Sequence, residues 1–195
     1  MSRLATACLS LMLLSAPANA SILFSFNETP TGVEGVLSGS LDTDALSVFN
    51  TASGLAPQID PIDGFIATGG TVAGNSLEAF ALAAGATFGL GGTTVASGST
   101  GSDFAFNTLF FGTPVVFLPS SYISGSLLGG TIDFDGATYA SLGVLPGAFV
   151  LGVLGSDETV TFEFNEAVPL PAGIITLLSG LGLLTIMRRR RAVAG

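Results

Sequence analysis

Residues 159–165 read TVTFEFN, and this short run decides the fold. Val160, Phe162 and Phe164 fall on one side of an extended chain, while Thr161, Glu163 and Asn165 fall on the other. Successive side chains of a strand point to opposite faces, so an apolar/polar period of two predicts a strand with one face buried and one wet. The same pattern recurs toward both ends of the chain. In SILFSFNE (21–28), Ile22, Phe24 and Phe26 alternate with more polar neighbours at Ser25 and Asn27. In DFAFNTLFF (103–111), Phe104, Phe106 and Phe110 share a face, and GTIDFDG (130–136) sends Ile132 and Phe134 inward and its aspartates outward. Gly155-Ser156-Asp157-Glu158 supplies a hairpin turn between AFVLGVL and TVTFEF.

Six or more such strands with Gly/Pro turns predict an all-β body, an antiparallel β-sandwich of jelly-roll-like type. The 15 phenylalanines supply an aromatic interior in a chain with one cysteine. Two stretches read differently. NSLEAFALAAG (75–85) has Asn75 three residues before Glu78, a capping-box spacing, and Leu77, Phe80, Ala81 and Ala84 share a helical face, which predicts a short helix. Leu77, Ala79 and Ala81 also alternate, so a strand stays open. Gly85 to Ser102 is rich in Gly, Thr and Ser and reads as loop.

The two ends differ from the middle. MSRLATACLSLMLLSAPANA (1–20) has Arg3, an apolar centre at Leu9 to Leu14, and a small-x-small ending at Ala18-Asn19-Ala20. That is the layout of a secretory signal peptide, with cleavage by signal peptidase expected after Ala20. At the other end, Leu170 to Met187 carries no charge. At about 1.5 Å per helical residue it approaches the ~30 Å hydrocarbon layer, which predicts a transmembrane helix over about 170–187. Arg188, Arg189, Arg190 and Arg191 follow and hold the C-terminus in the cytoplasm, with the body outside. Pro169 and Pro171 disfavour helix at Val168 and Leu170, so the chain enters the interface extended, the shape a protease cleft accepts.

Val168-Pro169-Leu170-Pro171-Ala172, then the apolar run, then the arginines, in a chain that opens with a signal peptide, resembles the VPLPA variant of the PEP-CTERM sorting signal. The resemblance covers residues 168–195, with Pro169-Leu170-Pro171 standing where the commoner form has Pro-Glu-Pro. It implies recognition and cleavage near the proline motif by an exosortase, a membrane protease-transferase, followed by release or surface display. It also implies extracellular polysaccharide as a neighbour. A second resemblance lies within the body, at Phe110 to Val153. Pro119, Tyr122, Ser124 and Gly125 match an LP..Y.SG element of PEP-CTERM proteins, and Gly136, Thr138 and Ala140 to Gly143 match a G.T.ASLG turn. Phe149 and Leu151 stand where that family has tyrosine and tryptophan. The family carries no assigned chemistry.

The expected exported domain, residues 21–167, is long enough for one domain with a core. It holds all 14 acidic residues and none of the five basic ones, with no His, Trp or Cys. Nucleic-acid binding lacks its cations. A Ser/His/Asp or Ser/Lys arrangement lacks its base, and a zinc site lacks His and Cys. No disulfide forms there. Carboxylates leave two chemistries. One is a calcium site, with Asp42 and Asp44, Asp60 and Asp63, or Asp133 and Asp135 as candidates, though none completes a twelve-residue loop ending in Glu. DPID also reads as turn chemistry, and Asp133 and Asp135 as the polar face of a strand. The other is acid/base work on a glycoside by paired carboxylates, in a body poor in aromatic platforms. The expectation is a non-enzymatic surface or matrix protein without a required cofactor. The alternatives are a carboxylate-dependent carbohydrate-acting enzyme or a permanently anchored single-pass protein.

Overall fold

The computed structural model describes residues 21–70 and 76–166. Within them the chain runs β1 (Ser21–Thr29), β2 (Gly32–Gly39), β3 (Val48–Ser53), β4 (Gln58–Asp60), β5 (Phe65–Thr68) and β6 (Ser76–Ala81). It continues as β7 (Thr94–Val95), β8 (Gly98–Gly101), β9 (Phe104–Phe110), β10 (Thr113–Pro119) and β11 (Leu128–Asp135). A one-turn helix α1 (Tyr139–Leu142) precedes β12 (Gly147–Gly152) and β13 (Thr159–Asn165). The body is all-β, as the alternation predicts. The expected signal peptide with Ala18 and Ala20, the sorting motif Val168 to Ala172, the span 170–187 and Arg188 to Arg191 lie outside the described residues. Among the described residues no helix is long and apolar enough to cross a membrane.

The strands form two sheets, ordered β12-β13-β1-β2-β11-β8 in sheet A and β3-β6-β10-β9-β5-β4-β7 in sheet B. Every pairing between named strands is antiparallel except one. β1 and β13 run parallel, with Phe24 beside Phe162 and Phe26 beside Phe164. A parallel pair needs a long crossover, and the whole body between the first and last strands supplies it. The aligned register stacks Phe26 on Phe164, ring centroids 4.8 Å apart.

The alternating residues converge on one core. Ile22, Phe24, Phe26, Ile132, Phe134, Val160, Phe162 and Phe164 of sheet A and Ile66, Phe104, Phe106, Val116 and Leu118 of sheet B are buried in a single cluster. Phe106 lies 4.9 Å from Phe162 and Phe24 lies 6.0 Å from Phe104, so the sheets meet face to face. Each fully buried Phe contributes roughly 1.5–3 kcal/mol relative to exposure. Gly35 makes room for this layer. A methyl there would sit 2.5 Å from Cε1 of Phe26 and 2.7 Å from Cγ2 of Ile132.

Sheet B also buries its other face. Phe65, Ala67, Leu77, Ala79, Ala105, Val115 and Phe117 form a second cluster, and all but Leu77 stand next to a main-core residue on the same strand. Phe110, expected to share a face with Phe104 and Phe106, is half-buried and packs on this second cluster instead. The β9–β10 register shifts at that end, which breaks the parity.

Residues 76–81 of the expected helix form β6, which pairs with β3 on one side and β10 on the other. Six residues between two ready strands satisfy both backbone edges at once, whereas a helix that short gains too few bonds to offset its nucleation. Asn75, its proposed cap, lies outside the described residues. The expected loop 85–102 contains β7 and β8, and β8 pairs with β11, Thr100 opposite Thr131. A strand of Gly-Ser-Thr-Gly has no apolar member to alternate, so its sequence carries no strand period. The expected 155–158 turn does join β12 to β13, with Gly152 opposite Thr159.

Candidate functional site

Three connections meet at one end of the sheets: the β2–β3 loop, the β10–β11 loop and the β12–β13 turn. The first leaves sheet A to begin the edge of sheet B, and side chains from the other two fasten it. The Tyr122 hydroxyl accepts the Leu41 N–H at 2.9 Å and lies 2.7 Å from the Ser126 carbonyl and 3.0 Å from that of Leu41, which share its single proton. The Leu41 carbonyl also accepts the Gly125 N–H at 2.9 Å. Ser124 donates to Asp42 Oδ1 at 2.7 Å and accepts the Thr43 N–H at 2.9 Å. Asp42 Oδ1 also accepts the Asp44 N–H at 3.0 Å, an Asx turn. The Asp42 N–H points between both oxygens of Glu158, at 3.0 and 2.9 Å.

No cation exists in this body to share the negative charge, so the two carboxyls respond only to burial and to donors. The Asp44 N–H, then the Ser124 hydroxyl, stabilise the charged form of Asp42 and lower its pKa from 3.8. Burial raises that of Glu158 from 4.5, against the Asp42 N–H, and the Asp42 charge adds to the rise. Burial also raises Tyr122, with Glu158 and Asp42 adding to it. Two neighbouring carboxyls driven in opposite directions form the kind of pair that divides acid and base roles. Here both oxygens of the protonatable one are turned to a backbone amide. Beside the cluster, Leu46, Phe49, Phe80 and Leu154 line an open groove of ≈ 460 Å³.

The remaining acidic candidates lie elsewhere. Asp60 is buried in the β4–β5 turn, where Oδ1 accepts the Asp63 N–H at 3.3 Å and Oδ2 accepts the Thr93 hydroxyl. The turn reading of DPID therefore holds. Asp133 is half-buried and Asp135 exposed on β11, and Asp133 stands opposite Glu34 of β2. Among the described residues no three acidic side chains come together in a way that could hold a metal ion. Calcium takes six to eight oxygens, of which any one pair of carboxylates supplies at most four.

The second motif of the resembling stretch is also a fastening. Thr138 caps α1 by accepting the Ser141 N–H at 3.1 Å, while Ser141 Oγ accepts the Thr138 N–H at 2.8 Å. Gly143 closes the turn at φ 65°. Tyr139 donates its hydroxyl to the Phe26 carbonyl at 2.7 Å, and its N–H donates to Glu28 Oε2 at 2.7 Å. Burial and then the Glu28 charge push its phenol up to about 12. Phe149, half-buried, meets Phe88 edge-on at 5.2 Å, and Leu151 is buried in the main cluster, so both replaced aromatic positions fill the core.

Asp42 is legible in the sequence as a ligand candidate, and Tyr122 and Ser124 through the resemblance alone. Glu158 stands in a turn sequence, and no local spacing joins it to Asp42, 116 residues away. Among the described residues every buried side-chain nitrogen or oxygen has a hydrogen-bond partner. No protein-family model, curated protein or solved structure matches this chain.

Proposed function

We propose that this chain is an exported, non-enzymatic surface or extracellular-matrix protein. Its body is a jelly-roll-like sandwich, and an exosortase-type protease sorts and cleaves it at Val168 to Ala172. The route runs through signal peptidase at Ala18-Asn19-Ala20 and an inner-membrane intermediate held by the apolar run and Arg188 to Arg191. The product then reaches the cell surface or the medium, among extracellular polysaccharide. One observation carries the reading: the use to which the polar side chains of the resembling stretch are put. Tyr122, Ser124, Thr138 and Tyr139 bind backbone groups of their own or neighbouring elements. Residues used this way give a body that survives outside the cell without disulfides, which suits display better than turnover.

Intact mass and location of the mature product test the reading. A fragment beginning at Ser21 and ending near the proline motif, outside the inner membrane, is the expected product. Replacing Pro169 and Pro171 by Ala lets the helix extend and leaves unprocessed protein in the inner membrane. Full-length protein dissolved in the cytosol overturns the proposal, and an intact tail in the membrane of the unaltered chain replaces it with permanent anchoring. The opposed carboxyls Asp42 and Glu158 favour a second reading, acid/base action on a glycoside. It requires glycan cleavage by the purified protein that both Asp42→Asn and Glu158→Gln abolish.

A further inference from the structure

We infer that the tip of the β9–β10 hairpin, Leu109 to Gly112, is a finger that inserts into the apolar layer of a lipid bilayer. The turn consists of Phe111 and Gly112, at φ 49° and 83°. A two-residue turn with positive φ at both positions favours Asn-Gly or Gly-Gly, because any larger side chain crowds the following carbonyl. Phe111 is the only non-glycine residue at positive φ among the described residues, and 78% of its surface faces water. The residue is thus unfavourable twice, in its backbone and in its solvation. An asparagine would close the same hairpin with neither penalty. Strain of this kind at an exposed apolar side chain points to a partner that takes the ring out of water.

The surroundings identify the chemistry of that partner. Leu109 beside it is 70% exposed, and no charged residue occurs between Phe104 and Pro119. Phe110 meets Phe117 edge-on at 4.9 Å and Phe111 at 4.7 Å, so the finger is rooted in the second cluster. Two polar side chains at its base bind backbone groups. Asn107 Oδ1 accepts the Leu109 N–H at 2.8 Å, and the Thr108 hydroxyl binds the Ala86 backbone. The side chains the tip itself presents, Leu109 and Phe111, are apolar and carry no directional donor or acceptor. That suits hydrocarbon and suits sugar hydroxyls poorly. A second copy would bring two wholly acidic bodies together against their mutual repulsion. The same charge disfavours anionic headgroups, so the bilayer face is zwitterionic or neutral.

The chain contains no tryptophan, so Phe111→Trp places a single reporter at the tip of the full-length protein. Leu127→Trp, 86% exposed in the β10–β11 loop, places one at the opposite end of β10. With phosphatidylcholine vesicles carrying brominated acyl chains, the tip reporter is expected to shift to shorter wavelength and lose emission, while the Leu127 reporter does neither. Comparing these two positions separates tip insertion from any attachment made by the C-terminal run. In vesicle-free solution Phe111→Asn is expected to raise the melting temperature by about 2–4 °C, because relieving the strain stabilises the hairpin. An unquenched tip reporter overturns the inference, as does equal quenching at both positions. A blue shift that needs protein concentration and no lipid also overturns it, in favour of self-contact. A lower melting temperature for Phe111→Asn does so too, by making the ring part of the fold.

Discussion

Sheet A and sheet B share one core yet are built from different kinds of strand. In sheet A, β2 alternates buried Val33, Gly35 and Leu37 with exposed Glu34, Val36 and Ser38, and β13 alternates buried Val160, Phe162 and Phe164 with half-buried Thr161 and Glu163 and exposed Asn165. In sheet B, β5 is buried along its whole length and β10 buries four consecutive residues, Val115 to Leu118. One sheet has a wet face. The other has its centre strands between two apolar layers. The difference teaches where stability resides: Phe162 touches rings from both sheets, while Phe117 belongs to a thinner layer on the far side of sheet B.

The largest expected effect contrasts those two layers. Phe162→Ala removes the ring packed against Phe24, Phe88, Phe104 and Phe106 and is expected to cost about 5 kcal/mol of unfolding free energy. Phe117→Ala, in a layer better able to collapse, is expected to cost about 3 kcal/mol. Urea titration of both variants measures the gap, and equal costs would erase the distinction between a shared core and a satellite. Next in size is Gly35→Ala, at about 1–3 kcal/mol, because its methyl overpacks against Phe26 and Ile132. If sheet A absorbs that methyl without loss, its packing is looser than the ring stack implies.

Smaller effects belong to the loops that join the sheets. Tyr122→Phe leaves the Leu41 N–H without its acceptor and is expected to cost about 1 kcal/mol. The smallest is Glu158→Gln, which keeps an oxygen for the Asp42 N–H and removes the buried charge. Because the Glu158 pKa is raised on folding, its contribution is complete below 4.5 and is lost as pH rises through the folded value. The Asp42 pKa is lowered, so its contribution is present above 3.8 and is lost as pH falls. The two contributions oppose each other, so the Glu158 share is read as a difference: from acid to neutral pH the melting temperature of the unaltered protein is expected to fall relative to that of Glu158→Gln. A Glu158→Gln variant that melts lower at neutral pH would mean that the carboxylate charge itself holds the joint.

Residues 21–28, 130–136 and 159–165 declare their strands and their inward faces in the sequence itself, because one wet face leaves a period of two in the chain. Composition likewise shows which side chains the body lacks: residues 21–167 carry no Lys, Arg, His, Trp or Cys. Tertiary structure alone decided the rest. It made β6 a strand, because flanking strands offered its backbone two ladders that no local pattern advertises. It made β8 a strand from residues with no apolar period at all. In sheet B, two buried faces erase the alternation that sequence reading depends on. The Asp42–Glu158 and Leu41–Tyr122 contacts join residues 116 and 81 positions apart. Such contacts follow from how the sheets stack, and stacking is a property of the whole folded chain rather than of any stretch within it.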